Sequence, residues 1–451
     1  MSKLNSNEWI ARNLARAFLR RTSRSEPSSL RELAEEVLGI PAPWLRNTLE
    51  FLEQIPFSTW ETFDLDSLAQ KILLTPGFDP PIVRDGTPPV RKIFLSMARM
   101  RPPPWALDVS PLPKLTHVQE LAEWLGLSSD RLAWLTSPAQ AWREHSLKRP
   151  VHYHYRLHRK SGGGFRLIEI PKADMKHAQQ HILKNLLQQI PVHEATHGFV
   201  RGRSVLTHTR IHTGQPVVIH FDLQDFFPSV RAARIHAVWK TLGYPLSICK
   251  MLTALCTTRT ASAVIERLYE ANEIGWVGKK RLASPHLPQG APTSPALANL
   301  CAFSLDVRLD GLAEAFGARY TRYADDLVFS GPVSLRHRLS SLQAWVTFIA
   351  ENEGFALHPR KTRCMPQHMQ QRITGVVVNH RENVPRKDFD QLKAQLHQCI
   401  LHGPAAQNRS DVADFRNHLL GKIHWVGQFN AARSVKLMRL FSQIHWTPQE
   451  E

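Results

Sequence analysis

Two adjacent carboxylates, Asp325 and Asp326, lie between apolar and β-favouring residues of the chain. Aromatic and β-branched residues, which favour strands, surround them over 320–324 and 327–330. The pattern predicts a tight β-hairpin with the two aspartates near its tip. Because neighbouring side chains of an extended backbone point to opposite faces, only one of the pair can point directly into a cleft. An Asp-Asp pair is also common in surface turns, so its role depends on the rest of the chain.

A third carboxylate, Asp222, stands at the end of the apolar-rich run 217–221. Two aromatic residues and Pro228 follow it, which predicts a buried strand that delivers one carboxylate where the chain turns into a helix. Phe227 is placed to form the floor beneath a bound sugar. Asp225 is a candidate N-cap for the helix that follows.

A glycine-rich tip, residues 161–164, separates two further strand patterns at 152–158 and 165–172. This arrangement predicts a second β-hairpin, flanked by Lys160 and Arg166. Such a tip brings backbone N–H groups and cations close to phosphates. Arg166 is therefore a candidate for a triphosphate contact, and the alternative is a surface ion pair with Glu169.

The loop 286–300 contains Gly290 between prolines, followed by small residues that let a flat ligand lie against the backbone. Ser294 is a candidate cap for a helix that starts at Pro295. The preceding basic residues 279–281 are predicted to lie in a loop, and residues 373–379 are predicted to form a strand.

Net charge is the most informative bulk property, at +18 over 451 residues. Such an excess of Lys and Arg favours a polyanionic partner. The basic residues are spread over 20–21, 159–160, 279–281 and 360–363, which favours a basic groove on a folded surface over a basic tail. The alternative is a surface charge that only keeps the protein in solution.

The remaining chain is mostly helical in pattern. Apolar residues recur at helical spacing over 1–75, 115–145 and 387–446, and none of the first 145 residues carries recognisable chemistry. The proline-rich residues 76–113 are predicted to form a linker or strap, with a short helix near 90–100.

The five cysteines are scattered and never stand at CxxC spacing, which argues against a disulfide framework or a zinc module. No apolar run approaches the ~18–20 residues that span a bilayer. We therefore expect a cytoplasmic protein without a membrane partner.

Three acidic side chains that converge in a basic protein need cations to tolerate one another. Hard oxygen ligands favour Mg²⁺, with Mn²⁺ as a substitute. Two such ions stabilise both the attacking and the leaving oxygen in phosphoryl transfer. The residues therefore favour nucleotidyl transfer on a nucleic acid.

Segments at 221–230, 286–300, 320–331, 354–363 and 373–379 read FDLQDFFPSV, HLPQGAPTSPALANL, YTRYADDLVFSG, GFALHPRKTR and ITGVVVN. In this order and spacing, they make the chain resemble bacterial retron-type reverse transcriptases from about residue 115 to its end.

The resemblance implies an α+β right-hand polymerase fold with an N-terminal helical extension. Its expected parts are the extension with the proline-rich strap (1–114), fingers (115–215), a palm with interleaved fingers segments (216–379) and a helical thumb (380–451).

The resemblance also implies roles for single residues. Asp222 and Asp325 would bind both metal ions, with Asp326 as an accessory ligand, and these three would be the catalytic residues. The expected dNTP pocket has Phe227 as the gate against a ribose 2′-OH, the lining residues Gln289 and Gly290, the phosphate-binding residues Lys160 and Arg166, and Lys361 as the group that protonates pyrophosphate. The expected nucleic-acid contacts are Arg201, Arg203, His212, Arg360 and Arg363.

One segment departs from the retron pattern. Where retron enzymes usually carry Asn-Ala-x-x-His, this chain has His208 and Thr209 and keeps only His212. The leading hypothesis is an RNA-directed DNA polymerase that copies a dedicated noncoding RNA into single-stranded DNA in an antiphage system, with dNTPs as substrates and an effector protein as a further partner. One alternative is a non-retron bacterial reverse transcriptase with template-independent or protein-primed synthesis. Another is an inactive RNA-binding scaffold.

Overall fold

The computed structural model describes residues 7–20, 29–60, 63–80, 90–94, 100, 112–137, 152–159, 165–358 and 360–446. The chain forms two compact units. One consists of Met1–Ser137 with His236–Thr253, and the other consists of Pro138–Ile235 with Ala254–Glu451.

The first unit contains the short amphipathic helices that the apolar spacing predicts, which confirms that interpretation for the described residues. They are α1 (Asn7–Phe18), α2 (Leu30–Leu38), α3 (Arg46–Glu53), α4 (Phe57–Trp60), α5 (Leu65–Leu73), α6 (Val118–Leu125) and α7 (Ser129–Thr136). Ser29 and Asp64 start α2 and α5 with capping boxes, which satisfy backbone donors that the first turn leaves free. Buried side chains such as Leu14, Leu30 and Ile72 share one apolar core.

The predicted helix near residues 90–100 is wrong over its described part. Residues 90–94 are not helical, and the backbone N–H groups of Arg91 and Lys92 donate to the carbonyl of Val37 instead. Most of the proline-rich strap, at 81–89 and 101–111, lies outside the described residues, as does the end of the predicted helical stretch at 138–145.

The second unit begins with the predicted hairpin, formed by the antiparallel strands β1 (Tyr153–Arg159) and β2 (Phe165–Pro171). Its tip, residues 160–164, lies outside the described residues. Two helices follow, α8 (Ala173–Asn185) and α9 (Val205–His212).

A four-stranded antiparallel sheet forms the centre of the second unit. Its strands are β3 (Val217–Asp222), β4 (Arg319–Tyr323), β5 (Asp326–Gly331) and β6 (Arg363–Pro366), in the order β4-β5-β3-β6. The predicted strand before Asp222 and the predicted hairpin around Asp325 are both confirmed. β3 and β5 are almost fully buried, as expected of central strands rich in β-branched and aromatic residues.

Helices fill the chain between the strands. They are α10 (Phe226–Ser229), α11 (Ala232–Thr241), α12 (Leu246–Cys256), α13 (Ser262–Glu270), α14 (Trp276–Ala283), α15 (Ser294–Cys301), α16 (Phe303–Ala315), α17 (Ser334–His337) and α18 (Leu339–Asn352). Helices α9 and α16 pack against β4.

Two local predictions in this stretch are wrong. The basic residues 279–281 lie in α14 rather than in a loop, where Lys279 forms an ion pair with Glu266 of α13. Ser294 is the first helical residue of α15 and does not cap it, because its hydroxyl donates to the carbonyl of Pro288.

The C-terminal part is mostly helical, as predicted, with α19 (Arg386–His402), α20 (Phe415–Phe429) and α21 (Ala431–Phe441) around a shared apolar core. The predicted single strand at 373–379 is wrong. It is instead a small hairpin of β7 (Arg372–Ile373) and β8 (Val376–Val377), because the chain reverses at Thr374 and Gly375, both at positive φ. Among the described residues, we find no helix with the length and apolarity that a bilayer crossing requires.

Candidate active site

The central sheet brings three carboxylates together. Asp222, the last residue of β3, lies directly opposite Asp326, the first residue of β5. Asp325 precedes Asp326 in the turn that joins β4 to β5, and its carbonyl accepts a hydrogen bond from the N–H of Leu223 at 2.9 Å. The register of one ladder therefore places all three predicted aspartates at the same end of the sheet.

Asp325 lies in a largely buried position near two other carboxylates. Burial, followed by the charges of Asp326 and Asp222, raises the pKa of Asp325 to about 6, and Lys361 offsets only part of this effect. Burial disfavours the charged form, and a neighbouring like charge disfavours it further. A cation among these carboxylates would lower the pKa of Asp325.

Lys361 lies beside the carboxylates and forms an ion pair with one of them. Its Nζ donates to both carboxylate oxygens of Asp222, at 2.9 and 2.8 Å. The Lys361 side chain is 51% exposed, whereas Asp222 is buried. The ammonium group therefore reaches in from solvent and can move away when another cation takes its place.

His220 is a site residue that the sequence interpretation missed. Its Nε2 lies 2.9 Å from Oδ1 of Asp326. Burial lowers the pKa of His220, but the hydrogen bond and the charge of Asp326 outweigh that effect and raise the pKa overall. The available signal was strand parity, since His220 and Asp222 are two residues apart on β3 and share a face.

The oxygen atoms of the three carboxylates suit a divalent cation, although two of the carboxylates are already paired with Lys361 and His220. In the described part of the chain, no three His, Cys, Asp or Glu side chains are arranged as a complete metal site. Lys361 bonds to Asp222 and His220 bonds to Asp326, so the side chains neutralise part of their own charge. Carboxylate oxygens are the ligands that Mg²⁺ prefers, and burial followed by the neighbouring carboxylates keeps the pKa of Asp325 raised despite Lys361.

Phe227 lies in the short helix α10, just after Asp222, and its ring is partly exposed. The ring packs against Phe226, with 5.5 Å between the centroids. Asp225 does not cap α10 with its side chain, so that prediction is wrong. Its backbone has a φ of 50°, and its carboxylate accepts a hydrogen bond from Arg281 at 2.9 Å.

The loop of Gln289 and Gly290 is attached to β2 of the glycine-tipped hairpin. The carbonyl of Gln289 accepts a hydrogen bond from the N–H of Glu169 at 2.8 Å. Gly290 has a φ of 128°, and a Cβ there would lie 2.9 Å from the carbonyl oxygen of Glu169. Both the conformation and the close approach therefore require glycine.

Arg166 is exposed on β2. The alternative ion pair with Glu169 is not formed, because the buried Glu169 carboxylate binds the Thr260 hydroxyl and Nε2 of His286. Lys160, the other predicted phosphate contact, lies outside the described residues.

The five predicted nucleic-acid contacts fall into two groups. Arg201, Arg360 and Arg363 are exposed. Arg203, in contrast, donates to the carbonyls of His193 and Glu194 at 3.0 and 2.9 Å, so it holds the chain's own loop together.

His212 is fully buried, which contradicts its prediction as a nucleic-acid contact. Its Nδ1 lies 2.7 Å from Oγ of Ser330, and its Nε2 lies 2.6 Å from Oγ1 of Thr321. Burial, with smaller effects from His197 and Arg319, lowers the pKa of His212 to about 3. The imidazole is therefore neutral and holds α9 against β4 and β5.

A buried charge network, also missed from the sequence, supports the hairpin from behind. The guanidinium of Arg322 on β4 donates to both carboxylate oxygens of Asp306 at 2.8 and 2.6 Å, and to Oδ1 of Asn299 at 2.9 Å. Both side chains of the Arg322–Asp306 pair are 0% exposed. The available signal was an arginine in the middle of the strand pattern that precedes the two aspartates.

Comparison with known proteins adds independent information. Residues 158–378, which include all three aspartates, match the family described as reverse transcriptase (RNA-dependent DNA polymerase). The retron Mx65 reverse transcriptase of Myxococcus xanthus is 38% identical over 304 residues, which cover 66% of this chain and 67% of that protein.

Two further relatives carry similar names. The retron Mx162 reverse transcriptase of Myxococcus xanthus is 37% identical over 313 residues, which cover 66% of this chain and 62% of that protein. The retron Ec86 reverse transcriptase of Escherichia coli is 30% identical over 233 residues, which cover 51% of this chain and 64% of that protein. The chain therefore spans less than two thirds of the length of these two relatives.

Proposed function

Because the chain belongs to the retron-type reverse transcriptases of bacteria, we propose that it is an RNA-directed DNA polymerase. The family implies a palm-containing polymerase fold, and the mixed helix and strand architecture fits it. One observation carries the proposal. Asp222, Asp325 and Asp326 converge at one end of the central sheet, within the residues that match the family.

Asp222 and Asp325 are the proposed ligands of two Mg²⁺ ions, with Asp326 as an accessory ligand held by His220. Two bound ions would stabilise the developing charge on the attacking and leaving oxygens. Lys361 would leave Asp222 when the cations bind. Its ammonium would then be free to donate a proton to the pyrophosphate leaving group.

The proposed dNTP pocket has walls from three elements. Phe227 on α10 would contact the sugar and exclude a ribose 2′-OH. The loop of Gln289 and Gly290 would line the pocket, and its attachment to β2 supports a pocket shared with the glycine-tipped hairpin. Arg166 and Lys160 of that hairpin would bind the triphosphate.

We assign the fingers to residues 115–215, the palm to 216–379 and the helical thumb to 380–451. The net charge of +18 supports a nucleic-acid groove. Among the predicted contacts, the exposed Arg201, Arg360 and Arg363 are the ones we retain. The relatives' printed names associate them with retrons. On that basis, the proposed template is a dedicated noncoding RNA, copied into single-stranded DNA for antiphage defence together with an effector protein.

Primer extension on a defined RNA template tests the polymerase assignment. The wild-type protein should extend a DNA primer in Mg²⁺ with dNTPs, and Asp222→Asn should not. Asp390→Asn, which removes an exposed carboxylate on α19, is the matched control and should retain activity. Extension by the Asp222 variant at the wild-type rate would refute the site.

Sequencing of nucleic acid that copurifies with the protein tests the template. Treatment with RNase, DNase and a debranching enzyme should reveal a single-stranded DNA joined to RNA through a branch. Linear DNA without attached RNA would argue against synthesis in the retron manner.

A further inference from the structure

Phe199 combines two features that packing alone does not explain. Its backbone φ is 61°, a conformation that bulky residues other than glycine rarely adopt. Its side chain is nevertheless 52% exposed, so burial of the ring does not offset the cost of that conformation. Strained residues of this kind concentrate at active sites and ligand-binding sites.

The backbone around Phe199 is held rigidly against the turn that carries Asp325. The N–H of His197 donates to the carbonyl of Arg322 at 2.7 Å, and the carbonyl of Gly198 accepts from Nδ2 of Asn299 at 2.9 Å. A Cβ on Gly198 would lie 2.5 Å from the backbone nitrogen of Ala324. The two backbones are therefore in direct contact, which fixes the backbone position from which the Phe199 ring projects.

That direction places the ring beside two aromatic residues of the site. The centroid of Phe199 lies 6.2 Å from that of Phe227 and 6.5 Å from that of Tyr323. Tyr323 ends β4, two residues before Asp325, and Phe227 follows Asp222 on α10. Phe199, Phe227 and Tyr323 thus form an aromatic surface next to the chain segments that carry Asp222 and Asp325, and we call it the aromatic wall.

We propose that Phe199 is a nucleotide-binding residue. In this proposal, its ring extends the surface of Phe227 and contacts the sugar and base edge of the incoming deoxynucleoside triphosphate. Aromatic faces bind nucleotides with little dependence on the base, which suits a polymerase that must accept all four. The inference rests on the proposed function, because it assumes that the incoming triphosphate binds next to the three carboxylates.

Two substitutions separate loss of the ring from a change in backbone strain. Phe199→Ala removes the ring and keeps a Cβ at positive φ. Phe199→Gly removes the ring and accommodates the same φ without strain. Phe348→Ala is the matched control, since Phe348 is 53% exposed on α18 and its ring packs against Trp345.

Steady-state primer extension on a defined RNA template should show the same defect in both Phe199 variants. We expect the KM for dNTPs to rise about tenfold in each, with a much smaller change in kcat. The control should retain the wild-type KM. Thermal melting should show that Phe199→Gly is at least as stable as the wild-type protein, so that the defect is not due to unfolding.

Three outcomes would overturn the inference. They are a wild-type KM in both Phe199 variants, a defect in Phe199→Ala that Phe199→Gly does not share, and weaker binding of the template and primer with an unchanged KM for dNTPs. The same assay with Asp325→Asn separates these failures from failure of the proposed function. If that variant is inactive, the polymerase site stands whatever Phe199 does, and if it is fully active, the polymerase site itself is wrong.

Discussion

The hairpin of β4 and β5 connects two clusters of buried charge with opposite characters. Behind it, Arg322 makes five hydrogen bonds, to Asp306, Asn299, Thr196 and the carbonyl of Ala324, which use the full donor capacity of a guanidinium. At its tip, three carboxylates share the half-exposed Lys361 and the imidazole of His220. The first cluster is saturated, whereas the second retains negative charge.

The difference separates a structural role from a functional one. A buried ion pair is tolerated when its hydrogen bonds are complete, as they are for the guanidinium of Arg322. At Asp325, burial and then the charges of Asp326 and Asp222 raise the pKa to about 6, which disfavours the charged form in the folded protein. Such an arrangement is expected where a cation binds during function, and substitutions in the two clusters should therefore have opposite effects.

The largest effect is expected for Asp325→Asn. Loss of a metal ligand should lower the rate of dNTP incorporation by about 10³-fold or more in primer extension. The raised pKa of Asp325 means that its ionised carboxylate destabilises the folded protein above pH 6. Asn has no such charge, so in metal-free buffer the variant should melt at the same temperature as the wild-type protein or at a higher one. A large loss of stability would contradict the view that this cluster is uncompensated.

Arg322→Met should have the opposite profile in stability. It leaves Asp306 buried without its partner, which typically lowers the free energy of unfolding by about 3–5 kcal/mol. Denaturant titration at neutral pH measures the loss. The double variant Arg322→Met with Asp306→Leu should recover part of it, because no unpaired charge remains. Equal stability of Arg322→Met and the wild-type protein would show that the network is not structural.

A smaller effect is expected when Lys361 is removed from the cluster of three carboxylates. Lys361→Ala should lower kcat by about 10²-fold if the ammonium acts as a general acid toward pyrophosphate. It should leave the KM for dNTPs nearly unchanged. Lys393→Ala, which removes an exposed lysine of α19, is the control. A normal kcat in Lys361→Ala would leave Lys361 with only the role of balancing Asp222.

The last prediction concerns two buried histidines that hold α9 in place, His197 and His212. Burial, with a smaller effect from Arg203, lowers the pKa of His197 to about 4, and the pKa of His212 is about 3. The unfolded chain therefore binds more protons between pH 6.5 and these values, and stability should fall as the pH falls through that window. Each such histidine contributes a slope of about 1.4 kcal/mol per pH unit.

His197→Asn tests that slope. An amide stays neutral, so the variant should lose less stability on acidification than the wild-type protein. His397→Asn, at an exposed position of α19, should leave the slope unchanged. Parallel curves of stability against pH for the wild-type protein and His197→Asn would show that the pKa of His197 is not lowered by burial.

The sequence predicts the parts of the site that depend on local pattern. The strand before Asp222 and the hairpin around Asp325 follow from apolar and β-branched runs, and the structure contains both. The pairing of Arg322 with Asp306 depends on how α16 packs against β4, and a single sequence does not reveal that packing. The burial of His212 was missed for the same reason, since its role was inferred from a motif of the resembling family and not from its packing neighbours.

Other misses come from competition between local signals. Thr374 and Gly375 lie inside an apolar run that reads as one strand, although the chain reverses there. The basic residues of α14 read as a loop, whereas an ion pair to α13 accompanies their helix. In both places, the hydrophobic pattern is too short to specify the local structure.

Electron paramagnetic resonance with Mn²⁺ tests the central claim most directly. The titration should contain the wild-type protein, an RNA template with a DNA primer, and a non-hydrolysable dNTP. We predict two bound Mn²⁺ ions per chain in the wild-type complex and the loss of at least one in Asp325→Asn. The same number and affinity of ions in both proteins would show that the three carboxylates do not form the metal site.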